Sequence, residues 1–170
     1  MDLKTKIRDI PDFPKPGIGF KDITPLLQDA EAFRYAIDSI AKHYSNDGVD
    51  LILGAEARGF IVGGALAYRL KAGFIPARKP GKLPHHVTKA EYELEYGMDT
   101  LEMHMDAIKP GDRVLVVDDV LATGGTASAK VDLVEQLGGK VVGVAFLIEL
   151  SFLNGRSKLG NHDVFSLIQY

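Results

Sequence analysis

The chain contains no cysteine among its 170 residues. A disulfide framework, a thiolate metal site and a cysteine nucleophile are therefore excluded. The sequence also has no apolar stretch long enough to span a membrane, and its first residues lack the apolar core of a signal peptide. We therefore expect a cytoplasmic protein that does not contact a membrane.

Two common nucleotide-binding signatures are missing as well. The chain has neither the GxxxxGK[ST] string of a P-loop nor a GxGxxG after a strand, which disfavours triphosphate hydrolysis and dinucleotide binding. Its net charge of -3 argues against a nucleic-acid-binding surface. A local basic cluster that could hold a small polyanion is formed by Arg78, Lys79, Lys82, His85, His86 and Lys89.

The apolar pattern predicts one open α/β domain over residues 1–170. Strands are predicted over 49–53, 73–77, 114–117, 141–148 and 164–168, and helices over 29–44, 60–70 and 126–137, with Asp29 near the N-cap of the first. Continuous apolar strands separated by helices indicate a mostly parallel sheet that helices cover on both faces. Ligands of such sheets lie beyond the carboxyl ends of the strands.

Three segments add detail to this pattern. Residues 10–27 contain four prolines and two glycines, which predict an irregular cap within residues 1–28. Residues 84–106 include apolar and polar side chains that alternate at strand period, which predicts an exposed hairpin or lid. The predicted helix over 60–70 is apolar on nearly every side, so we expect part of it to contact a second subunit or another layer of the fold, and we expect a homodimer.

The main chemical signal follows the predicted strand 114–117. Asp118 and Asp119 come first, and the sequence Thr123-Gly124-Gly125-Thr126 then leads into a helix. Glycines let the backbone approach a ligand closely, a helix N-terminus favours anions, and threonine hydroxyls add donors. Because two carboxylates would repel a polyphosphate, the adjacent ligand should offer hydroxyls or bring a divalent cation. A ribose 5-phosphate meets both conditions, with the carboxylates on its diol directly or around Mg²⁺.

The string VLVVDDVLATGGT at 114–126 resembles the phosphoribosyl-diphosphate motif of the type I phosphoribosyltransferases. The stretches PDFPKPGIGFKDITPLL at 11–27, EARGF at 56–60 and YELEYG at 92–97, with the ending VFSLIQY, are similar to the adenine phosphoribosyltransferase branch of that family. The resemblance covers almost the whole chain. It implies transfer of ribose 5-phosphate from phosphoribosyl diphosphate to adenine, which gives AMP and diphosphate in purine salvage, with Mg²⁺ as cofactor.

The resemblance also implies roles for individual residues. The phosphoribosyl group would be bound by Asp118, Asp119, Ala122, Thr123, Gly124, Gly125 and Thr126. The diphosphate would be bound by Glu56, Ala57, Arg58, Arg78, Lys79 and Lys82, in part from a neighbouring subunit, with a strained peptide often found in the 56–58 turn. The base would lie near Gly19, Phe20 and Lys21, under the 1–28 cap. Since lysine lacks the planar fork of the arginine that many relatives carry at position 21, a backbone contact is expected there.

Two residues of the lid are predicted to be catalytic. Glu95 would stabilise the positive charge that develops in the transition state or accept a proton from the base, and Tyr96 would help exclude water. The alternative for acidic residues of this hairpin is a solvated charge, which we favour for Glu93 and Glu102.

Other interpretations remain open. Family members that use 6-oxopurines tend to carry aspartate where Ala122 stands, so adenine is favoured over xanthine, hypoxanthine or guanine. A non-catalytic regulator that binds phosphoribosyl diphosphate would need a DNA-binding segment and a basic face, for which the chain has no room. The 114–126 segment could also be an ordinary strand-to-helix turn, the basic cluster a solvated loop, and residues 13–21 only a cap over the core.

Overall fold

The computed structural model describes residues 1–94 and 96–170. In chain order the helices and strands are β1 (Arg8–Ile10), β2 (Phe20–Asp22), α1 (Thr24–Gln28), α2 (Ala30–His43), β3 (Leu51–Ala55), α3 (Arg58–Leu70), β4 (Gly73–Ala77), β5 (Val87–Glu93), β6 (Met98–His104), β7 (Arg113–Leu121), α4 (Gly125–Gln136), β8 (Lys140–Glu149) and β9 (Val164–Gln169). Within these described ranges, no helix is long and apolar enough to cross a membrane.

The centre of the molecule is a parallel sheet of five strands in the order β4-β3-β7-β8-β9. Helices α1, α2 and α3 cover one face, where Ile40 and Leu66 belong to the same buried cluster as Leu115. Helix α4 and the β5–β6 hairpin cover the other face, around Val116 and Phe146. The α/β class and the mostly parallel sheet expected from the apolar pattern are therefore confirmed.

The start of helix α2 agrees with the prediction from the sequence, and the end of strand β7 does not. Helix α2 begins after Asp29, whose carboxylate accepts hydrogen bonds from the backbone N–H groups of Glu31 at 3.1 Å and Ala32 at 3.0 Å. This confirms Asp29 as the N-cap, because an N-cap side chain satisfies amides that have no partner within the helix. Strand β7 differs from the prediction: it continues to Leu121, so Asp118 and Asp119 lie within the strand and not after it.

The cap is more regular than its proline content predicts. Strands β1 and β2 pair in antiparallel fashion, and α1 carries Pro25 in its first turn, where the missing N–H costs no helical hydrogen bond. Ile23 and Leu26 are buried in the main core. The prediction of an irregular cap is therefore wrong for the end of the segment that holds β2 and α1, because Ile23 and Leu26 are packed into the domain there.

Residues 84–106 contain a hairpin, as predicted, with β5 and β6 paired from Val87 opposite His104 to Glu93 opposite Met98. One face of this hairpin is not exposed, since Tyr92 and Leu101 are buried against the core. The expectation of an exposed hairpin is therefore wrong for that face: its alternating apolar residues cover α4 and the sheet.

Candidate active site

A cavity of about 440 Å³ lies beyond the carboxyl ends of β3 and β7. The predicted site residues that line it are Gly19, Phe20, Lys21, Glu56, Arg58, Lys79, Asp118, Asp119, Ala122, Thr123, Gly124, Gly125 and Thr126. The structure thus brings the three predicted subsites together in one space. Their roles toward a ligand stay predictions.

Four predicted residues are not among those that line this cavity: Ala57, Arg78, Lys82 and Tyr96. Tyr96 is exposed near the tip of the hairpin. Arg78 is turned toward Glu56, with its guanidinium Nε 3.2 Å from a carboxylate oxygen of that residue. Glu95, which is predicted to stabilise the positive charge of the transition state or to accept a proton from the base, lies outside the described residues.

The end of β7 places the acidic pair at the wall of the cavity. Asp119 is buried, and its Oδ2 accepts a hydrogen bond from the Nε of Arg58 at 2.6 Å. Burial and the nearby charge of Asp118 raise the pKa of Asp119 to about 6, and the guanidinium of Arg58 opposes both effects. The side chain of Asp119 therefore changes its protonation state near pH 6.

The loop after β7 leads into the N-terminus of α4. Gly124 is the N-cap and has a φ of +89°, a conformation that L side chains rarely adopt. A Cβ atom at this position would lie 2.4 Å from the carbonyl oxygen of Gly155, so the loop and the Gly155–Leu159 turn are packed backbone against backbone. The first amides of α4 have no partner within the helix, and they point to where an anion would bind.

The turn between β3 and α3 connects the cavity to the basic cluster. The peptide bond between Glu56 and Ala57 is cis. Glu56 accepts a hydrogen bond from the backbone N–H of Lys79 at 2.8 Å, and this bond and the contact with Arg78 lower the pKa of the carboxyl. Glu56 therefore anchors the loop after β4. Helix α3 starts at Arg58, two residues earlier than predicted, so this cation belongs to the first turn of a helix.

Lys79 faces the cavity but is held by the hairpin. Its ammonium group donates to the Tyr92 hydroxyl at 2.9 Å and forms an ion pair with Asp99. Partial burial lowers the pKa of Lys79, but the contacts with Asp99 and Tyr92 outweigh this effect, so the pKa is raised overall. Lys79 is therefore charged and tied to both strands of the hairpin.

At the cap side, the Lys21 side chain has partners of its own. Its ammonium forms an ion pair with Asp9 and lies 3.9 Å from the ring centroid of Tyr170. The side chain is thus held between Asp9 of the cap and the C-terminal Tyr170, and the expected backbone contact with the base stays a prediction. The ring of Phe20 packs edge-on against Phe13, with the ring centroids 5.1 Å apart.

Sequence reasoning missed two groups of residues at this site. The first is an apolar wall contributed by Ala55, Tyr92, Leu101, Val120, Leu121, Ala127, Phe146 and Leu150. Most of these positions look like ordinary core residues in the sequence; Tyr92 had a signal, because it opens the YELEYG stretch. The second is Lys130 in α4, whose ammonium is 2.5 Å from Asp118.

The fold and this site define the class of the protein. A family model for the phosphoribosyl transferase domain matches residues 26–167, and the chain therefore belongs to the phosphoribosyltransferase family. A relative from Symbiobacterium thermophilum, an adenine phosphoribosyltransferase, is 61% identical over 170 residues and the match covers 100% of each chain. Within the family, the chain thus groups with the adenine phosphoribosyltransferases, as the sequence motifs predict.

Solved structures agree with this placement. The adenine phosphoribosyltransferase of Thermoanaerobacter pseudethanolicus is 57% identical, with a TM-score of 0.97 and coverage of 99% of this chain and 98% of that chain. The enzyme of Saccharomyces cerevisiae, in complex with adenine and an imino-altritol bisphosphate, is 44% identical, with a TM-score of 0.93 and coverage of 98% and 96%. The resemblance expected from the sequence is therefore confirmed.

Proposed function

We propose that this protein transfers ribose 5-phosphate from phosphoribosyl diphosphate to N9 of adenine and so forms AMP and diphosphate in purine salvage. One observation carries the proposal: a single cavity joins the Thr123–Thr126 loop, the acidic pair, Arg58 and residues 19–21. The relatives described above are adenine phosphoribosyltransferases, and the yeast enzyme is seen with adenine.

The cavity supplies suitable contacts for each part of the substrate. The 5-phosphate fits the N-terminus of α4, where backbone amides and the hydroxyls of Thr123 and Thr126 converge. The carboxylate of Asp119 would accept hydrogen bonds from the ribose diol. The leaving diphosphate would lie toward Arg58 and Lys79, the two described cations that line the cavity on this side.

We propose Mg²⁺ as the cofactor. The carboxylate oxygens of Asp118 and Asp119 are the kind of ligand that Mg²⁺ prefers. Among residues 1–94 and 96–170, no group of three or more His, Asp or Glu side chains could hold a metal, so substrate oxygens and water would have to complete the shell. When bound, the ion would stabilise the negative charge of the departing diphosphate.

In the proposed reaction, the bond from ribose C1 to the diphosphate oxygen breaks and a bond from C1 to adenine N9 forms with inversion. The proton of N9 must leave during this step. We assign its acceptance, or the stabilisation of the positive ribose ring, to Glu95, as the sequence motif implies. Tyr96, which is exposed, would help exclude water once the lid closes over the cavity.

Adenine is the base that the cavity lining favours. Ala122 lines the cavity with a methyl group, so this position offers no carboxylate to handle a proton at N7 of a 6-oxopurine. Gly19 and Lys21 line the same cavity as the acidic pair, and their backbone would contact the base edge. Both features support adenine over hypoxanthine, guanine and xanthine.

We also propose that the protein is a homodimer and acts in the cytoplasm. Helix α3 exposes Ile61 and Tyr68 on one side, and the Tyr68 side chain is 90% exposed in the single chain. Exposed apolar side chains on one helix face are typical of a subunit contact. The location follows from the substrate, because phosphoribosyl diphosphate is a highly charged metabolite that does not cross a membrane unaided.

The function is tested by incubating the protein with Mg²⁺, phosphoribosyl diphosphate and one base at a time, and by separating the nucleotides formed. We expect AMP from adenine and little nucleotide from hypoxanthine, guanine or xanthine. Product from a 6-oxopurine but not from adenine would overturn the choice of base. Binding of phosphoribosyl diphosphate without product from any base would instead indicate a regulator.

A further inference from the structure

Lys130 is a buried lysine to which the proposed reaction gives no role. It lies in α4, and its side chain is 0% exposed. The Nζ atom donates to Oδ2 of Asp118 at 2.5 Å and to the backbone carbonyl oxygen of Val117 at 3.0 Å. A buried ammonium is strongly unfavourable unless it is paired, so these two contacts are what make a lysine tolerable at this position.

The same contacts fix the carboxylate of Asp118. Its second oxygen, Oδ1, accepts a hydrogen bond from the backbone N–H of Asp119 at 3.0 Å. A Cβ atom added at Gly59 would lie 2.9 Å from this oxygen, so α3 approaches the carboxylate closely from another side. Both oxygens of Asp118 are therefore held from within the protein.

The two members of the acidic pair differ in the partner that each has. Arg58, the partner of Asp119, is 47% exposed and lines the cavity, so a diphosphate could draw this cation away. Lys130 is fully buried behind Asp118, where no substrate can replace it. One carboxylate thus has an exchangeable counter-charge and the other has a permanent one.

We propose that Lys130 is a positioning residue for phosphoribosyl diphosphate. It fixes the Asp118 carboxylate at the wall of the cavity and cancels its charge, so the negative charge presented to the substrate is that of Asp119 once the diphosphate draws Arg58 away. Without Lys130, two uncompensated carboxylates would repel the substrate's phosphates. The inference rests on the proposed function, since it concerns the same binding site.

The test is a double-mutant cycle of wild type, K130M, D118N and D118N/K130M, with the KM for phosphoribosyl diphosphate and kcat measured by AMP formation. Methionine keeps the volume of lysine and removes its charge. We expect K130M to raise this KM roughly tenfold, and to change it less than twofold in the D118N background, because the carboxylate on which Lys130 acts is then already neutral. K42M, which removes an exposed lysine of α2, should keep the wild-type KM.

A wild-type KM in K130M, or the same increase in both backgrounds, would overturn the proposal and leave Lys130 a purely structural residue. If circular dichroism shows that K130M is unfolded, K130Q takes its place, since glutamine keeps a donor for Val117. A wild type that forms no AMP would contradict the proposed function. The dissociation constant of ribose 5-phosphate, measured by calorimetry on the same four proteins, would still decide the role of Lys130.

Discussion

Arg58 and Asp119 lie 61 positions apart in the sequence, yet the guanidinium Nε of one is 2.6 Å from a carboxylate oxygen of the other. Arg58 opens the helix that follows β3, and Asp119 lies near the carboxyl end of the neighbouring strand β7, so the parallel sheet brings them together. The cation assigned to the diphosphate is thus paired with the carboxylate assigned to the ribose. In this assignment, a diphosphate that binds to Arg58 must also affect how Asp119 binds the ribose, and the reverse.

The raised pKa of Asp119 should make the activity depend on pH. Because the pKa of Asp119 is raised to about 6, the carboxyl becomes protonated as the pH falls through that value, and kcat/KM for phosphoribosyl diphosphate should fall with it. R58Q removes the charge that opposes the rise in the pKa of Asp119. The acid limb of the pH profile of kcat/KM should therefore move to higher pH. The phosphates of the substrate also titrate near pH 6, but they do so equally with both proteins. Identical limbs in wild type and R58Q would contradict this assignment, and K82Q controls for loss of a nearby charge.

The contact between the Thr123–Thr126 loop and the Gly155–Leu159 turn predicts that substitution of Gly124 destabilises the protein more than substitution of Gly111. Gly124 and Gly111 share a φ of +89°, but only Gly124 would place a Cβ against another backbone, at 2.4 Å from Gly155. In urea unfolding we expect G124A to lose about 3 kcal/mol and G111A about 1 kcal/mol. G124A should also raise the KM for phosphoribosyl diphosphate, and G111A should not. Equal losses of stability would show that the contact is unimportant.

If Lys79 binds the diphosphate as proposed, its ion pair with Asp99 competes with the substrate for the same cation. D99N removes the charged competitor, so we expect a KM for phosphoribosyl diphosphate that is about threefold lower, within the range of exposed ion pairs. D106N removes a carboxylate just beyond the same hairpin, away from the cavity, and serves as the control. An increased KM in D99N would instead show that Asp99 positions Lys79 for the substrate.

Glu149 should contribute to stability in a pH-dependent manner. Two hydrogen bonds of 2.7 Å from Arg156 lower the pKa of this carboxyl below its ordinary value of 4.5. A lowered folded-state pKa means that the stabilisation is present above the unfolded-state pKa and is lost as the pH falls through the folded-state pKa. Urea unfolding at pH 7 should therefore show E149Q less stable than wild type by about 2 kcal/mol. The difference in stability between E149Q and wild type should shrink below about pH 4.5. A difference that stays constant with pH would contradict this account. The control variant E91Q, on β5, should be as stable as wild type.

The exposed face of α3 predicts the oligomeric state. Wild type should sediment with twice the mass of one chain, and Y68E should sediment as a monomer, because a charge would be buried in the contact. Y35E provides the control, since Tyr35 is a half-exposed tyrosine on α2. A monomeric wild type would exclude the contact. A Y68E variant that is still a dimer would place the contact on another surface.

The sequence pattern could predict those parts of the fold that depend on local regularity. Continuous apolar runs located the five parallel strands, and Asp29 located the start of α2. The end of β7 could not be predicted in this way, because adjacent aspartates are typical of a loop. They are tolerated in a strand since Lys130 and Arg58, which are distant in sequence, supply the compensating charges.

The site was predictable where a motif stood in one segment and not where it depended on tertiary contacts. The Thr123–Thr126 loop could be predicted from its glycines and threonines. Lys130, by contrast, is a charged residue among the apolar positions of α4, and the sequence alone does not show what its ammonium group contacts. Its burial becomes apparent only when β7 and α4 are packed together. The hairpin follows the same rule. The sequence shows that apolar and polar residues alternate along its strands, but it does not show that Tyr92 lies on the face that is packed against the core.

The most direct test of the central claim is the rate of AMP formation from adenine at varied concentrations of phosphoribosyl diphosphate, for wild type and D119N. The account predicts that wild type forms AMP, and that D119N has a KM for phosphoribosyl diphosphate at least tenfold higher, or a correspondingly lower kcat, because it has lost the charged acceptor for the ribose diol. Wild-type values of both constants in a folded D119N would contradict the assignment of this cavity as the phosphoribosyl site.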